Sequence, residues 1–390
     1  MQVIWKKFYK TSSASDHGTL YQLRNLVQRR NVGKKPKKDF NAHDSFFSLV
    51  TTSHILAAAM ELLGMDSLDD HPSEHLLPEN VQALPKSERS MILNHICDVV
   101  LHSYVDLHHS VEVEDPVSTH SKSTDPSKSK ECCTEGKEDS RVGEEDSSKC
   151  EETSSEDEEE YSERERDSNK GDSKQDDSVQ AYATEILTLG LIYAEFADGI
   201  REGDGERVIR CWKYFMLIFK NTQRKNYSCE AFALLAQINF ILSPRLVQQL
   251  MWSRFINTRG GKGKNIPCDL HMEHLNRVLK DGIKGLGANK TDKAITRLGK
   301  CIDSFNELLT NYDEALQVHH SADFHTVASL DKDVKLIVTE LTERVKPFSH
   351  SNGRHHKGIK VTKPIMKTID SSKFYSWMKD KWNSLLAGVL

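Results

Sequence analysis

Residues 111–180 constrain the fold more than any other stretch, because they cannot contribute to a packed core. They contain 24 acidic and 10 basic residues, many serines and, apart from Tyr161, no aromatic side chain. A segment this polar buries too little apolar surface to offset the entropy lost when a chain becomes ordered. We therefore expect a disordered acidic insertion that separates two regions of one core.

The insertion also divides the charge of the chain. It carries a net charge of −14, whereas the whole chain carries −5, so the other residues carry +9. A basic remainder beside an acidic segment indicates contact with nucleic acid or masking of the basic surface by the chain itself, and both interpretations stay open. The expected partner is DNA or RNA, and the sequence identifies no protein partner.

Cysteine usage and the first residues indicate the compartment. The eight cysteines form no CxxC pair, which is typical of a reduced compartment and not of a disulfide scaffold or a zinc ribbon. The start, MQVIWKKFYK, lacks the apolar region of a signal peptide. No run approaches the roughly 18 apolar residues of a membrane span. We expect an intracellular protein, nuclear rather than cytoplasmic, with no membrane span.

Apolar residues recur at helical spacing through most of the remaining chain. In the strongest pattern, residues 41–64, Phe46 and Val50 share one face with His54, which is expected to be a hydrogen-bonded core histidine. No sustained strand alternation appears, although residues 357–369 have room for a short strand. The predicted fold is mainly α, a multi-helical single composite domain interrupted by the acidic insertion. Its parts are residues 1–110 (helical N-terminal part of the core), 111–180 (insertion), 179–345 (helical main part) and 346–390 (basic loop and C-terminal helix).

Two short basic stretches are the candidate nucleic-acid contacts. The first, RRNVGKKPKK, surrounds a glycine and a proline with six cations, and the second, TRGGKGK, places three in a glycine-rich loop. Such side chains neutralise phosphates. A nuclear-import signal or a solvated loop without a partner also fits the first stretch. The predicted nucleic-acid-binding residues are Arg29, Arg30, Lys34, Lys35, Lys37, Lys38, Arg259, Lys262 and Lys264.

The densest cluster of chemically capable side chains lies in IPCDLHMEHLNR. Asp269 and Glu273 are four residues apart, so one face of a helix presents both carboxylates. Two-metal phosphoryl transfer needs several carboxylates that converge on the cations, and this pair alone does not supply them. Asp269 and Glu273 are therefore candidate catalytic residues that need further carboxylates, and a divalent metal is the candidate cofactor.

His271 and His274 are the candidate metal ligands of the same stretch. Their i, i+3 spacing differs from the i, i+4 spacing of the HExxH and HxxEH zinc sites. A purely structural interpretation also fits, because Glu273 can pair with Arg277 at i, i+4 and Asp269 favours a first helical turn. The inner side of this helix is predicted to carry Leu270, Leu275, Val278, Leu279 and Ile283.

Several long strings are similar to one uncharacterised protein family. They include YAEFADGIREGDGERVIRCWKYF, IPCDLHMEHLNR, GLGANKTDKAI and, near the start, IWKKFYKTSSASDHGTLYQLRN. The chain resembles a domain-of-unknown-function family that is found in many copies in animal and fungal genomes and is associated with transposable elements. The resemblance covers nearly the whole chain except the acidic insertion, and it implies no established biochemical activity.

The resemblance also bears on catalysis. Family members usually carry an upstream Gly-Asp-Gln-Leu-Thr motif, which this sequence lacks, so the chain is expected to lack the family's N-terminal part. If the family descends from transposases with a ribonuclease-H-like fold, the resemblance implies upstream aspartates as the first metal ligands and Glu273 as the third carboxylate. The leading prediction is a transposon-derived, catalytically incomplete protein with nucleic-acid-binding potential. The alternatives are a helical protein-interaction scaffold and a metal-dependent nuclease or transposase-like enzyme that uses Glu273.

Overall fold

A computed structural model describes residues 1–74, 78, 81–105, 177–258, 260–316, 330–359 and 364–388. The predicted acidic insertion lies almost entirely outside these residues. The described residues before and after it belong to one compact unit. They are mainly helical, which confirms the predicted fold class.

Twelve α-helices make up most of the described chain. Their bounds are α1 Gln2–Phe8, α2 Leu20–Leu26, α3 Phe40–Leu63, α4 Lys86–Tyr104, α5 Ser178–Glu202, α6 Gly205–Asn221, α7 Lys225–Ala236, α8 Pro244–Trp252, α9 Cys268–Gly285, α10 Asp292–Ala315, α11 Leu330–Thr339 and α12 Ser371–Leu386. Wider π-helical turns extend α7 through Gln237–Ile241 and α11 through Glu340–Val345.

The described strands are two residues long and lie outside the stretch 357–369, which the sequence left open for a short strand. β1 (Phe255–Ile256) and β2 (Ile266–Pro267) pair antiparallel. In the stretch 357–369, the described residues contain a 3-10 turn at Met366–Thr368. The pairing of β1 with β2 closes a glycine-rich loop, a local geometry that alternation of apolar residues does not reveal.

Helix α3 is the centre of the core. It packs against α2, α4, α5 and α11, and Phe46, Phe47 and Val50 are almost completely buried. Among the described helices, α3 is the one long and apolar enough to cross a membrane, and 56% of its apolar window is buried inside the protein. Where α5 crosses α3, a Cβ on Gly190 would lie 2.4 Å from the Thr51 hydroxyl oxygen, so only glycine permits this approach.

Tyr182 and Glu185 of α5 tie the first residues of the chain to the core. The Tyr182 hydroxyl donates to the Phe8 carbonyl at 3.3 Å and accepts from the Leu20 amide at 3.0 Å. Glu185 is 2% exposed, and its Oε1 accepts from Lys7 Nζ and from the Ile365 amide, both at 2.9 Å. Since unpaired buried polar groups are costly, these bonds fix α1, α2 and the 364–368 segment against α5.

Asp177 holds the start of α5. Its Oδ1 accepts from the amides of Val179 and Gln180, which caps the helix. Its Oδ2 accepts from the Ser351 amide at 2.9 Å and from the Arg354 guanidinium at 2.9 and 2.5 Å. Burial by itself raises the carboxyl pKa, but the hydrogen bonds from Arg354, Gln180 and Ser351 outweigh it, so the pKa of Asp177 lies below its ordinary value.

A second, smaller cluster packs beside the main core. Ile209 of α6, Leu234 and Leu235 of α7 and Met251 of α8 are its buried members. Helix α12 covers α7, where the Trp377 ring meets Phe232 edge-on. These helices extend the core away from α3 by way of α5 and α6.

Helices α9 and α10 form a helical hairpin that packs mainly on itself and, through α9, on β1 and β2. The predicted inner side of α9 is only partly covered, because Leu275, Leu279 and Ile283 are half-buried and none of its residues is fully buried. Leu270 is 38% exposed and Val278 is 41% exposed. Within the hairpin, α10 covers only part of the apolar face of α9. The rest of that face stays in solvent.

Replacing Asp177 by Asn should lower the free energy of unfolding by about 3 kcal/mol, because Arg354 would keep its burial and lose its counterion. Asn retains a cap oxygen, so the change tests the charge. Urea denaturation measures the effect. The matched control is Asp370→Asn, since Asp370 caps α12 in the same way but is exposed. Equal losses in both variants would contradict the role assigned to Asp177.

His54 generates a prediction about pH. It is completely buried, its Nδ1 lies 2.8 Å from the Val50 carbonyl, and its Nε2 has no partner among the described residues. The expectation of a fully hydrogen-bonded histidine is therefore wrong for one nitrogen. Burial lowers its pKa to about 4, although the Val50 carbonyl opposes the shift.

The unfolded chain binds a proton on His54 near its ordinary pKa, about 6.5, while the folded chain resists protonation down to about 4. The contribution of neutral His54 to the free energy of unfolding is therefore complete above pH 6.5. It is lost as the pH falls towards 4, by about 3 kcal/mol in all. In His54→Leu, this part of the pH dependence of the free energy of unfolding should vanish. His102→Gln, at an exposed position of α4, should keep it, and an unchanged slope in His54→Leu would refute the assignment.

Candidate nucleic-acid interface

The first basic stretch, Arg29–Lys38, is called the basic loop below, and buried side chains anchor its backbone. The Gly33 carbonyl accepts from Trp5 Nε1 at 2.9 Å, and His43 Nε2 lies 3.0 Å from the same oxygen. Trp5 is 2% exposed and His43 is 1% exposed, and their rings meet edge-on with centroids 4.8 Å apart. Two helices of the core, α1 and α3, therefore hold one carbonyl of the loop.

Further anchors follow at neighbouring carbonyls. The Val32 carbonyl accepts from Tyr9 Oη at 3.0 Å and from Arg24 Nε at 3.1 Å. The Arg24 guanidinium also donates to the carbonyls of Arg29 and Arg30. The Val32 side chain is completely buried. Because these groups point inward, the charged side chains between them are left at the surface.

The six cations of the basic loop differ in their surroundings. Arg29 forms an internal ion pair, with its Nη2 2.7 Å from Asp333 Oδ2 on α11, so it contributes to packing. Lys35 is exposed and has a contact of its own. The remaining four are exposed and form no side-chain hydrogen bond or ion pair with any described residue; they are Arg30, Lys34, Lys37 and Lys38.

The second basic stretch forms the loop between β1 and β2. Its left-handed turns fall at glycines, with positive φ at Gly260, Gly261 and Gly263. Asn265 Nδ2 donates to the Arg201 carbonyl at 2.8 Å and so ties the loop to the end of α5. Lys262 and Lys264 are exposed, and Arg259 lies outside the described residues.

The stretch DLHMEH begins α9 and lies at the surface. Asp269 is in the first helical turn, as predicted, and its charge acts on Arg254. Burial lowers the pKa of Arg254, and the carboxylate of Asp269 opposes this shift. Glu273 and His274 are exposed, and His271 is half-buried. Within the described part of the chain, no group of three His, Cys, Asp or Glu side chains is placed to hold a metal ion.

Glu273 also lacks the ion pair predicted for it. Among the described residues, it forms no hydrogen bond or ion pair, including none with Arg277. Both side chains line a shallow groove along α9 together with Lys280, Asp281 and Lys284. Three cations against two carboxylates give this groove a net positive charge, a setting that attracts anions and disfavours cations.

Comparison with known protein families matches one family over residues 1–325, with the description family of unknown function (DUF6589). The chain belongs to DUF6589. The match includes the basic loop, the loop between β1 and β2, and the DLHMEH stretch. No curated protein and no solved structure shows significant similarity to this DUF6589 chain.

The anchors of the basic loop in this DUF6589 chain were not apparent from its sequence. Trp5 and Tyr9 fit an apolar helical pattern, and their polar atoms gave no indication of a distant carbonyl partner. His43 and Arg24 lie on other helices. The sequence did contain one signal, the apolar Val32 within a run of cations. An apolar residue at such a position indicates that the loop packs on the core, and Val32 is buried in the structure.

Replacing Glu273 by Ala in this DUF6589 chain should leave the free energy of unfolding within about 0.5 kcal/mol of the wild-type value, because an exposed carboxylate without partners stabilises little. Thermal unfolding with and without Mg²⁺, Mn²⁺ or Zn²⁺ measures this and tests the metal hypothesis. Glu273→Gln, which keeps the shape and removes the charge, is the control. A metal-induced rise in the wild-type midpoint that disappears in both variants would show that Glu273 binds a cation.

Proposed function

We propose that this chain binds nucleic acid through the phosphate backbone and that the basic loop is the contact surface. The observation that carries the proposal is the anchored loop, in which Arg30, Lys34, Lys37 and Lys38 are exposed and have no side-chain partner among the described residues. Because the backbone of the loop is already fixed, binding has to order the charged side chains but not the backbone. Neutralised phosphates release counterions, which provides the free energy.

We further propose that the protein is transposon-derived, catalytically incomplete and nuclear. The resemblance to a transposon-associated family supports the origin, and the basic loop fits an import signal as well as a phosphate contact. The exposure of Glu273 and the positive groove around it support a protein without a complete metal site. The alternative is a nuclease or transposase-like enzyme, which thermal unfolding with and without divalent metal ions tests.

The triple variant Lys34→Glu, Lys37→Glu, Lys38→Glu should weaken binding of a labelled duplex by tenfold or more at low ionic strength, on the order expected for three lost phosphate contacts. Each contact contributes about −0.9 to the slope of log K against log salt concentration. The slope should therefore become less steep by about 3 units in the variant. Fluorescence anisotropy over a salt series measures both quantities.

The matched control reverses three exposed lysines on and before α10, namely Lys290, Lys293 and Lys300. It changes the net charge by the same amount and should weaken binding much less. Equal losses in the two variants would show that overall charge, and not the basic loop, governs binding. Absence of any binding by the wild type at low ionic strength would refute the proposed function.

A different observation favours the second candidate, a protein-interaction scaffold. The helical hairpin exposes Met272 and Val278 on α9 and Leu308 and Tyr312 on α10, and Leu316, directly after α10, is also exposed. Large apolar residues in solvent on one pair of helices are candidates for a protein-binding surface. Pull-down of a protein partner that persists at salt concentrations which abolish phosphate contacts would favour this candidate, because apolar docking is not screened by salt.

A further inference from the structure

A pocket of about 280 Å³ opens beside the basic loop. This volume is close to the lower end of the roughly 300–1,000 Å³ typical of small-ligand sites. The pocket lies between the first residues of α1, the loop and the α6–α7 connection. The side chains that decide its chemistry are Pro36, Lys37, Phe40, Phe219, Arg224 and Tyr227.

The walls of the pocket are aromatic and partly open. Phe40 is 52% exposed and Tyr227 is 58% exposed, although each carries a large apolar surface. The ring of Phe219 lies against that of Tyr227, with centroids 5.4 Å apart and planes tilted by 39°. Exposed aromatic rings of this kind are platforms on which a planar ring can stack.

The charges of the pocket favour an anion. Lys37 and Arg224 both line it, and neither forms a side-chain hydrogen bond or ion pair with a described residue. No aspartate or glutamate belongs to the lining. Arg224 follows Gln223, whose φ of 57° turns the chain sharply between α6 and α7. The occupant should therefore combine a planar apolar ring with negative charge close to it.

We propose that this pocket binds one unpaired base of a single-stranded nucleic acid, with Lys37 and Arg224 contacting the phosphates on either side of that base. Lys37 belongs to both the pocket and the basic loop, so one strand can follow the loop and place a base between Phe40 and Tyr227. The proposal rests on the proposed function and specifies its ligand. A stacked pair of bases in a duplex presents no free face, so duplex DNA would use only the basic loop.

The test compares three labelled ligands with the full chain by fluorescence anisotropy at fixed low salt. They are an oligothymidylate of about 12 nucleotides, within the site sizes of single-strand binders, the same strand with abasic sites, and a duplex of equal length. The strand with bases should bind about tenfold more tightly than the abasic strand, as expected for stacking of one base.

The double variant Phe40→Leu, Tyr227→Leu keeps apolar side chains and removes the stacking surfaces. It should bind the two single strands equally while keeping their salt dependence. Tyr375→Leu is the control, since Tyr375 is an exposed tyrosine on α12, and it should keep the tenfold preference. A circular dichroism spectrum and an unfolding midpoint matching the wild type confirm that the double variant is folded.

Two outcomes separate failure of this inference from failure of the proposed function. If the wild type binds the abasic strand as tightly as the strand with bases, the pocket proposal is wrong and phosphate binding by the loop stands. If neither strand nor the duplex binds, both proposals fail. Thymidine monophosphate that competes as tightly as the strand would identify a free nucleotide as the ligand and overturn the proposal of a strand.

Discussion

The fold depends on the contact between Asp177 and Arg354. Asp177 is the first described residue after Val105, and its side chain is 1% exposed. Arg354 joins it to the carbonyls of Val345, Lys346 and Ser349. This charge pair, in which Asp177 is buried and Arg354 is partly buried, thereby fixes the start of α5 against the segment after α11. Helix α5 in turn holds α1 and α2 through Tyr182, so sequence-distant regions form one core.

Much of this architecture could be predicted from the sequence, because apolar residues repeat at helical spacing over long segments. Helix α3, for example, begins and ends within one residue of the predicted stretch 41–64. The errors arose where an outcome depends on contacts between distant residues. His54 lies on the predicted buried face, yet no neighbouring sequence indicates that its Nε2 has no partner in the part of the chain that the structure describes. Helix α9 has a clear apolar face, but its spacing does not reveal how few partners cover it.

In the candidate site, too, features set by the local sequence were predictable and features set by contacts between distant residues were not. The exposed lysines of the basic loop were predictable, because charge and nearby turn residues place a stretch in solvent. The anchors Trp5 and His43 were not, since each reaches the loop only after α1 and α3 have packed together. Local density of His and carboxylate in DLHMEH indicated a metal site, whereas the described surroundings of Glu273 contain no converging ligands. A metal site depends on several elements meeting at one point, which a single helix cannot provide.

The two bonds on the Gly33 carbonyl also govern how the loop moves. Surface loops commonly open with little free energy, independently of the core beneath them. Here Trp5 and His43 are themselves buried core residues, so freeing the carbonyl would leave the buried Trp5 Nε1–H without its acceptor, which is costly. The lysines can thus change over evolutionary time without loss of the backbone geometry that presents them.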